Sequence, residues 1–288
     1  MDILLVGGFG KLGSFLQGYF KKRGFKVGIY GRNKSKPIQP ELNQDKIYTN
    51  LTEYFNFNHP DLIINLAALT NVDKCQMDKN LAYKSNIEPC LEIKKYILNK
   101  DTKVIHISTD HLYAGNGPHK EDNVNPINEY AQTKLQAENI ISSPRTIILR
   151  TNYVGKSCLI DRPTFTDWLY QSIKNKYKIN LFKDIIFSPL HLFDLAENIH
   201  LILNKPLAGT FNLGSSTSIS KADFALKFAK ALNIDMRNYN ICNSSEIKNR
   251  IERPKDMSMD VQRFEEKFNL KLPSISSTII KCAKDYQN

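Results

Sequence analysis

The feature that most constrains the fold is a glycine pattern directly after the first apolar run of the chain. Residues 2–6 read DILLV, and Gly7, Gly10 and Gly13 follow as G-x-x-G-x-x-G before a stretch with helical spacing. Glycines here let the turn close and the backbone approach a pyrophosphate, while the helix N-terminus faces the phosphate charge. The pattern predicts a dinucleotide-binding turn, and an ordinary tight turn between strand and helix is the alternative.

Strand-like and helical stretches alternate over about the first 155 residues. The buried-strand candidates are 2–6, 25–30, 61–68, 103–108 and 145–150, and the helical ones are 12–24, 78–99 and 129–142. Such alternation predicts βαβ units and a parallel sheet. We expect an α/β protein with a Rossmann-type doubly wound parallel sheet and a smaller C-terminal substrate-binding lobe.

The expected division follows the point at which this alternation loosens. Residues 1–155 are expected to form the NAD(P)-binding domain that carries the catalytic residues. Residues 156–288 are expected to form mostly the substrate-binding lobe, with room for some segments to return to the main sheet. A length of 288 residues suits one large domain, or a main domain with a smaller lobe.

The formal net charge of +11 has two explanations. Nucleic acid binding is one, but the lysines are spread along the chain and form no dense basic block. A lysine-rich surface explains the charge better, and it would also suit a doubly anionic small ligand. We therefore expect no nucleic acid partner.

Cysteine usage and hydropathy bear on the compartment. Five cysteines are scattered singly, which argues against a disulfide framework and against a zinc site, so no metal is expected. We find no signal peptide, and no apolar run approaches the length of a membrane span. These features favour a cytoplasmic protein with reduced thiols and without a membrane partner.

Polar and small residues follow two further predicted strands where each strand ends. INLAA (64–68) places Asn65, Ala67 and Ala68 at the carboxyl edge, where ligands bind in a doubly wound sheet. Small residues would leave room for a cofactor, although core packing explains the alanines equally well. ISTDHLYAG (107–115) brings Thr109 and Asp110 to the same edge.

A tyrosine and a lysine lie four positions apart in EYAQTKLQAE (129–138). On a helix, Tyr130 and Lys134 would share one face, which by itself could be a solvated surface. Together with Thr109 beside a nicotinamide they form a carbonyl-reducing set, in which the threonine holds the substrate oxygen. We expect the lysine charge to lower the pKa of Tyr130, because a phenol near pKa 10 relays protons poorly at neutral pH.

Basic residues after the second predicted strand bear on cofactor choice. No Asp or Glu occurs from Gly24 to Pro40, and Arg32 stands just past the strand end. An acidic residue at this place binds the ribose 2′-hydroxyl of NAD, whereas an arginine accommodates the 2′-phosphate of NADP. We expect the enzyme to prefer NADPH, and use of NADH remains an alternative. The alternative is a set of loop charges in water, which is the better explanation for Lys34 and Lys36.

The ordered series of motifs resembles the extended short-chain dehydrogenase/reductase family. The glycine pattern, STD at 108–110 and YxxxK at 130–134 carry the likeness. Within that family the chain is most similar to the dTDP-4-dehydrorhamnose reductases, in the segments NLAALTNVDKCQ, STDHLYAG, NEYAQTKLQAE, LRTNYVG and ERPKDMSMD. The likeness covers nearly the whole chain.

The resemblance implies a role for each matching residue. Tyr130 would donate the proton, Lys134 would bind the nicotinamide ribose and tune Tyr130, and Thr109 would orient the keto group. The implied cofactor-binding residues are Gly7, Phe9, Gly10, Lys11, Leu12, Gly13, Arg32, Asn65, Ala67, Ala68, Tyr130 and Lys134. The implied substrate-binding residues are Thr109, Asp110, Tyr153 and Arg253, although a surface arginine would explain Arg253 nearly as well.

One departure from related enzymes favours reduction. The sugar-nucleotide 4,6-dehydratases place an Asp-Glu pair after the threonine, whereas this chain has Asp110 and His111. Without the second carboxylate, elimination of water loses its base. The resemblance therefore implies NAD(P)H-dependent reduction of the 4-keto group of a nucleotide-activated 4-keto-6-deoxy sugar.

Several alternatives to this function remain at the level of sequence. They are an epimerase, a reductase acting at another sugar carbon, and a non-catalytic regulatory subunit. The expected partner is the nucleotide-diphosphate sugar substrate. The sequence leaves the oligomeric state open, a homodimer included.

Overall fold

The computed structural model describes residues 1–31, 47–48, 51–205, 208–248 and 250–287. Its strands are β1 Asp2–Val6, β2 Lys26–Tyr30, β3 Ile47–Tyr48, β4 Leu62–Asn65, β5 Lys103–Thr109, β6 Thr146–Thr151, β7 Tyr153–Val154, β8 Ile179–Phe182, β9 Ile186–Phe187, β10 Leu190–His191, β11 Gly209–Leu213, β12 Ile219–Ser220 and β13 Tyr239–Cys242. Its α-helices are α1 Lys11–Lys21, α2 Leu51–Phe57, α3 Val72–Met77, α4 Lys79–Asn86, α5 Glu88–Ile97, α6 Glu129–Ile141, α7 Phe165–Lys174, α8 Leu192–Ile202, α9 Lys221–Ala231, α10 Gln262–Phe268 and α11 Ile275–Lys284.

The central sheet has seven strands in the order β11-β6-β5-β4-β1-β2-β3. Every neighbouring pair in it is parallel. The chain leaves β1 toward β2 on one side and later returns to pair β4 with β1 on the other. A crevice opens at such a reversal, beyond the carboxyl ends of the strands, and this is where ligands bind in this kind of fold. The predicted doubly wound α/β fold is confirmed.

Helices cover both faces of the sheet, as the continuous burial of β4 and β6 requires. One apolar core lies between the strands and helices α1, α8 and α10. A second core lies on the opposite face, against α2, α5 and α6. Because both faces are enclosed, the carboxyl edge of the sheet is the part of the strands that a ligand can reach.

The second half of the chain contributes to two bodies of structure. Strand β11 pairs with β6 as the outer strand of the main sheet, and α8 and α10 pack against that sheet. A separate core in the second half joins α7, α9 and α11 with strand β8. The segment that precedes α7 passes over the glycine loop and thereby brings the two bodies together at the crevice.

The helical stretch expected at 78–99 differs in detail from the structure. It consists of α4 and α5, which meet at Ile87, and α3 precedes them as a further short helix. Pro89 lies in the first turn of α5, where a residue without an N–H is tolerated but could not continue a preceding helix. The expected helix at 129–142 is confirmed within one residue as α6.

Candidate active site

The glycine loop joins β1 to α1 in a conformation that other residues would disturb. Gly7 has φ +85°, and a Cβ on it would lie 2.7 Å from the backbone nitrogen of Ala67. A Cβ on Gly13 would lie 2.6 Å from the carbonyl oxygen of Gly8. Because these two glycines have no side chain, β1, β4 and α1 approach closely and leave the N-terminus of α1 open to the crevice.

A cavity of about 710 Å³ begins at this loop and runs along the carboxyl edge of the sheet; we call it the main cavity. The sequence-predicted residues that line it are Gly7, Gly10, Lys11, Leu12, Gly13, Ala68, Thr109, Asp110, Tyr130, Lys134 and Tyr153. A smaller cavity of about 320 Å³ adjoins it on the β2 side of the loop, and Phe9 and Ala67 line this loop cavity. The structure thus brings predicted site residues as far apart in sequence as Gly7 and Tyr153 together around one elongated crevice.

One predicted cofactor-binding residue, Asn65, lines neither of these two cavities. Asn65 is fully buried behind the wall, where its side-chain oxygen accepts a 3.2 Å hydrogen bond from the Ala67 backbone N–H. It therefore holds the strand end in place from behind. Arg32 lies outside the described residues, so its predicted role stays a prediction.

Thr109, Tyr130 and Lys134 meet on one wall of the main cavity. Thr109 is the last residue of β5, and the other two lie one helical turn apart on α6. The Tyr130 phenol hydrogen-bonds the Thr109 hydroxyl, and the Lys134 Nζ donates to the carbonyl oxygen of Ile107 at 2.8 Å. All three side chains are at least nine-tenths buried, so their polar atoms face each other and the cavity.

The expectation that Lys134 lowers the pKa of Tyr130 is wrong in this structure. Burial of the phenol raises the pKa of Tyr130 well above its usual range, and the hydrogen bond from Thr109 opposes this only in part. Desolvation dominates because the phenolate would lose its hydration in the enclosed wall. The phenol therefore stays protonated at neutral pH, which is the form that a proton donor requires.

Lys134 is itself held by a buried network. Its Nζ lies 3.5 Å from Nε2 of His106, whose Nδ1 lies 3.1 Å from the side-chain nitrogen of Asn65. Burial, followed by the Lys134 charge, lowers the pKa of His106 well below its usual value, so the ring is neutral. The network joins the end of β4 to α6 through β5, and it fixes where the lysine nitrogen sits.

Asp110 and Asn152 form the floor where the main cavity widens. The Asn152 side-chain nitrogen donates to the Asp110 carboxylate at 2.6 Å, and the Thr109 hydroxyl contacts the same carboxylate at 3.3 Å. Tyr153 also lines this part, and burial raises its pKa to about 12. Hydroxyl, amide and carboxylate groups here provide both donors and acceptors, which a polyhydroxylated ligand can use.

A third cavity, of about 390 Å³, continues from the main cavity toward the second lobe; we call it the basic cavity. The two share Thr70, His111, Asn152 and Phe165. Lys221, Arg250 and Arg253 line the basic cavity, and its other wall includes Trp168 and Phe182. The structure thus places the predicted Arg253 at a cavity wall, where its guanidinium donates to Asp73 at 2.6 Å.

His111 separates the reacting wall from the basic cavity. Its ring lies edge-on to Tyr130 with centroids 5.5 Å apart, and its Nδ1 is buried without a hydrogen-bond partner among the described residues. Burial lowers the pKa of His111, although the Asp110 charge opposes the shift. A neutral imidazole therefore stands where the related dehydratases carry a carboxylate.

Arg162 and Lys221 are cationic cavity residues that lie outside the sequence motifs. Arg162 lines both the main and the loop cavity, and its guanidinium donates to the Phe9 carbonyl oxygen at 3.2 Å. The Lys11 ammonium likewise donates to the carbonyl of Pro163 at 3.2 Å. Lys221 on α9 is the second such residue. Sequence reasoning missed both, because each is more than 100 positions from the glycine loop and no local pattern marks it.

Two further searches concern metals and membranes. Within the described ranges, no group of three or more His, Cys, Asp or Glu side chains is arranged to hold a metal ion. In the same part of the chain, no helix combines the length and the apolar character needed to cross a membrane.

Comparison with known proteins places this geometry in a family context. The family described as "RmlD substrate binding domain" matches residues 1–288. A Salmonella typhimurium protein named dTDP-4-dehydrorhamnose reductase is 28% identical over 290 aligned residues, which cover 95% of this chain and 94% of that protein.

Solved structures share the whole fold. A dTDP-4-dehydrorhamnose reductase from Clostridium acetobutylicum superposes with a TM-score of 0.85 at 25% identity and covers 100% of both chains. A dTDP-4-dehydrorhamnose reductase from Bacillus anthracis, solved in complex with NADP, gives a TM-score of 0.85 at 22% identity over 98% of both chains. At 22% identity the second likeness shows the fold alone.

Proposed function

Since the chain belongs to the RmlD substrate binding domain family, we propose that it uses NADPH to reduce the 4-keto group of dTDP-4-dehydrorhamnose or a closely similar nucleotide sugar. The resemblance recognised from the sequence motifs is thereby confirmed. One observation carries the proposed activity: Thr109, Tyr130 and Lys134 share a wall of the cavity that begins at the glycine loop. A hydride acceptor can therefore lie against a proton donor and next to a dinucleotide site.

The residues around the glycine loop fit a dinucleotide phosphate. Gly7 and Gly13 leave no room for a Cβ, and the N-terminus of α1 directs its backbone N–H groups at the crevice. Lys11 and Arg162 add two cations beside this terminus. Bound there, NADPH would supply the hydride, and the remaining chemistry belongs to the side chains of the chain itself.

Tyr130 performs the proton transfer in this proposal. Its protonated phenol donates to the sugar oxygen as the carbonyl becomes an alkoxide, and the Thr109 hydroxyl holds that oxygen by a second hydrogen bond. The Lys134 ammonium, one helical turn along α6 and held by the Ile107 carbonyl oxygen and His106, binds the nicotinamide ribose in this proposal. The raised pKa of Tyr130 suits an acid that must stay protonated until the sugar oxyanion forms. That oxyanion is much more basic than the carbonyl and can then take the proton.

The neighbourhood of Tyr130 favours reduction over elimination of water. Elimination needs a carboxylate base beside Asp110, and His111 occupies that place as a buried neutral ring with a lowered pKa. Burial lowers the pKa of a histidine but raises that of a glutamate. At the same depth, this ring is therefore a weaker base than the glutamate of the dehydratases would be. We therefore expect the 4-hydroxy product without loss of water.

The direct test is oxidation of NADPH with dTDP-4-dehydrorhamnose as the substrate. We expect absorbance loss at a rate proportional to enzyme, with dTDP-rhamnose identified by chromatography and NMR. dTDP-glucose, which has no keto group, is the matched control and should give no turnover. Absence of turnover across a panel of nucleotide 4-keto sugars, together with stimulation of a partner enzyme, would favour the regulatory subunit instead.

Two accompanying proposals concern setting and assembly. The five cysteines are all unpaired, which supports a reducing, cytoplasmic location. A homodimer is the assembly we propose, and sedimentation analysis of the purified protein tests it. An inactive monomer and an active dimer would show that activity requires dimerisation. A protein that is monomeric and active would contradict the proposed homodimer.

A further inference from the structure

Lys221 is a cation that belongs to none of the sequence motifs. It is the first residue of α9, directly after the N-cap Ser220. Its Nζ lies 3.5 Å from the ring centroid of Phe187 and 4.3 Å from that of Phe165. The ammonium is thus held between two aromatic faces, a geometry that stabilises a cation without consuming a hydrogen-bond acceptor.

The N–H donors of this ammonium have no hydrogen-bond partner among the described residues. In that part of the chain, the Lys221 Nζ forms no hydrogen bond and no ion pair, although Lys221 lines the basic cavity. Burial lowers the pKa of Lys221 to about 8, against the opposing charge of Asp110. Lys221 is partly exposed to the cavity, so an acceptor on a bound ligand can reach its three N–H donors from there.

The position of Lys221 points to the reacting sugar and away from the diphosphate. Its charge acts on Asp110 and His111, the two residues that follow Thr109. Arg253 also acts on His111, but its guanidinium is paired with the Asp73 carboxylate at 2.6 Å, and the charge of Arg250 lies near both of these residues. The basic cavity therefore has an end lined by Arg250 and Arg253 that suits a diphosphate, whereas Lys221 contacts Phe165, where this cavity meets the main cavity.

Lys221 and Asp110 balance each other in charge. The Asp110 carboxylate acts on the Lys221 ammonium, and within the described ranges the two form no salt bridge with each other. A donor and an acceptor in this arrangement match a neutral hydroxyl, which both accepts and donates. A carboxylate on the sugar would gain from Lys221 but would be repelled by Asp110.

We propose that Lys221 is a specificity-determining residue that donates a hydrogen bond to a ring hydroxyl of the reacting sugar, with Asp110 as the facing acceptor. This inference rests on the proposed function, because it presumes that a nucleotide sugar occupies the cavity. It goes beyond that function by assigning recognition of a neutral, hydroxylated pyranose to one side chain. The nucleotide itself is bound elsewhere in the crevice.

The test separates the sugar from the nucleotide. Calorimetry at neutral pH measures the affinity of the wild-type protein, Lys221→Met and Lys221→Arg for dTDP-rhamnose and for dTDP alone. We expect Lys221→Met to weaken dTDP-rhamnose by about tenfold, the order expected for one lost charged hydrogen bond, and to leave dTDP unchanged. Lys221→Arg keeps a charged donor and should recover part of the affinity.

The matched control is Lys227→Met, an exposed lysine on the same helix, which should change neither affinity. NADPH affinity serves as the measure of intact folding for each variant. Equal weakening of dTDP and dTDP-rhamnose, or no weakening of either, would overturn the inference. In those cases wild-type turnover of dTDP-4-dehydrorhamnose shows whether the proposed function still stands, because that assay does not depend on Lys221.

Discussion

The Arg162 guanidinium donates a 3.2 Å hydrogen bond to the carbonyl oxygen of Phe9 in the glycine loop. The two residues are 153 positions apart, and Arg162 belongs to the segment that precedes α7. Its side chain also lines both cavities that meet at the loop. A cation from the second half of the chain therefore covers the predicted phosphate site.

Removal of this cation should weaken cofactor binding. We predict that Arg162→Met raises the KM for NADPH by about three- to tenfold, since a partly exposed charged contact to a phosphate is lost. The kcat at saturating cofactor should change little, because Arg162 contacts the glycine loop, whereas the proton donor Tyr130 hydrogen-bonds Thr109. Steady-state kinetics measure both, and Arg145→Met at the opposite edge of the sheet is the control. An unchanged KM for NADPH would show that Arg162 only braces the loop.

Loss of the Tyr130 hydroxyl should remove the proton donor and little volume. We predict that Tyr130→Phe lowers kcat by about 100-fold or more, the range expected for a lost general acid. NADPH affinity, measured by fluorescence titration, should stay near that of the wild type. Tyr83→Phe alters an exposed tyrosine and should be silent. Near-normal turnover by Tyr130→Phe would contradict the assignment of Tyr130 as the general acid.

The affinity for the sugar should depend on pH through Lys221. The pKa of this lysine is lowered to about 8, so its ammonium is charged below that pH and neutral above it. We therefore predict that dTDP-rhamnose affinity is highest at neutral pH and falls as pH rises through about 8. His111 stays neutral across this range because its pKa is lowered. Calorimetry should show the fall in the wild type and not in Lys221→Met.

The buried pair of Arg150 and Glu138 should be a major determinant of stability. Their Nη2 and Oε2 atoms are 2.7 Å apart, and both side chains are more than nine-tenths buried. We predict that Glu138→Gln lowers the free energy of unfolding by roughly 3–5 kcal/mol, because it leaves a buried cation without its counter-charge. The exposed pair of Arg145 and Asp101 supplies the control, since Asp101→Asn should cost less than about 1 kcal/mol. Urea denaturation compares the two variants, and equal losses would contradict the importance of burial.

Cofactor choice is predicted from the sequence alone. Arg32→Asp should weaken NADPH much more than NADH, because it removes an attraction and adds a repulsion to the 2′-phosphate. The ratio of kcat/KM for the two cofactors is the measurement. Lys34→Asp, two positions further on, controls for a general change of charge in the same segment. An equal effect of both substitutions would show that Arg32 does not recognise the phosphate.

The sequence by itself determined the order of the main elements and most of the predicted site. Strands, glycine turn and helix α6 follow from local patterns, because hydrophobic period and glycine placement act over a few residues. Tyr130 and Lys134 needed only the i, i+4 spacing of a helix, and Thr109 needed only the rule that parallel strands end at one edge. Helical spacing and the position of a strand end are therefore sufficient to group these three residues.

The tertiary structure alone decided what depends on enclosure and on distant segments. Arg162 and Lys221 reach the crevice from the second half of the chain, and no short-range pattern records such an approach. Strand β11 joins the main sheet beside β6, across nearly sixty residues of intervening chain. The raised pKa of Tyr130 has the same origin, since desolvation is the sum of all atoms that surround the phenol and cannot be assigned to its neighbour Lys134. Spacing in sequence selects which groups can meet, whereas packing of the whole chain sets their electrostatic environment.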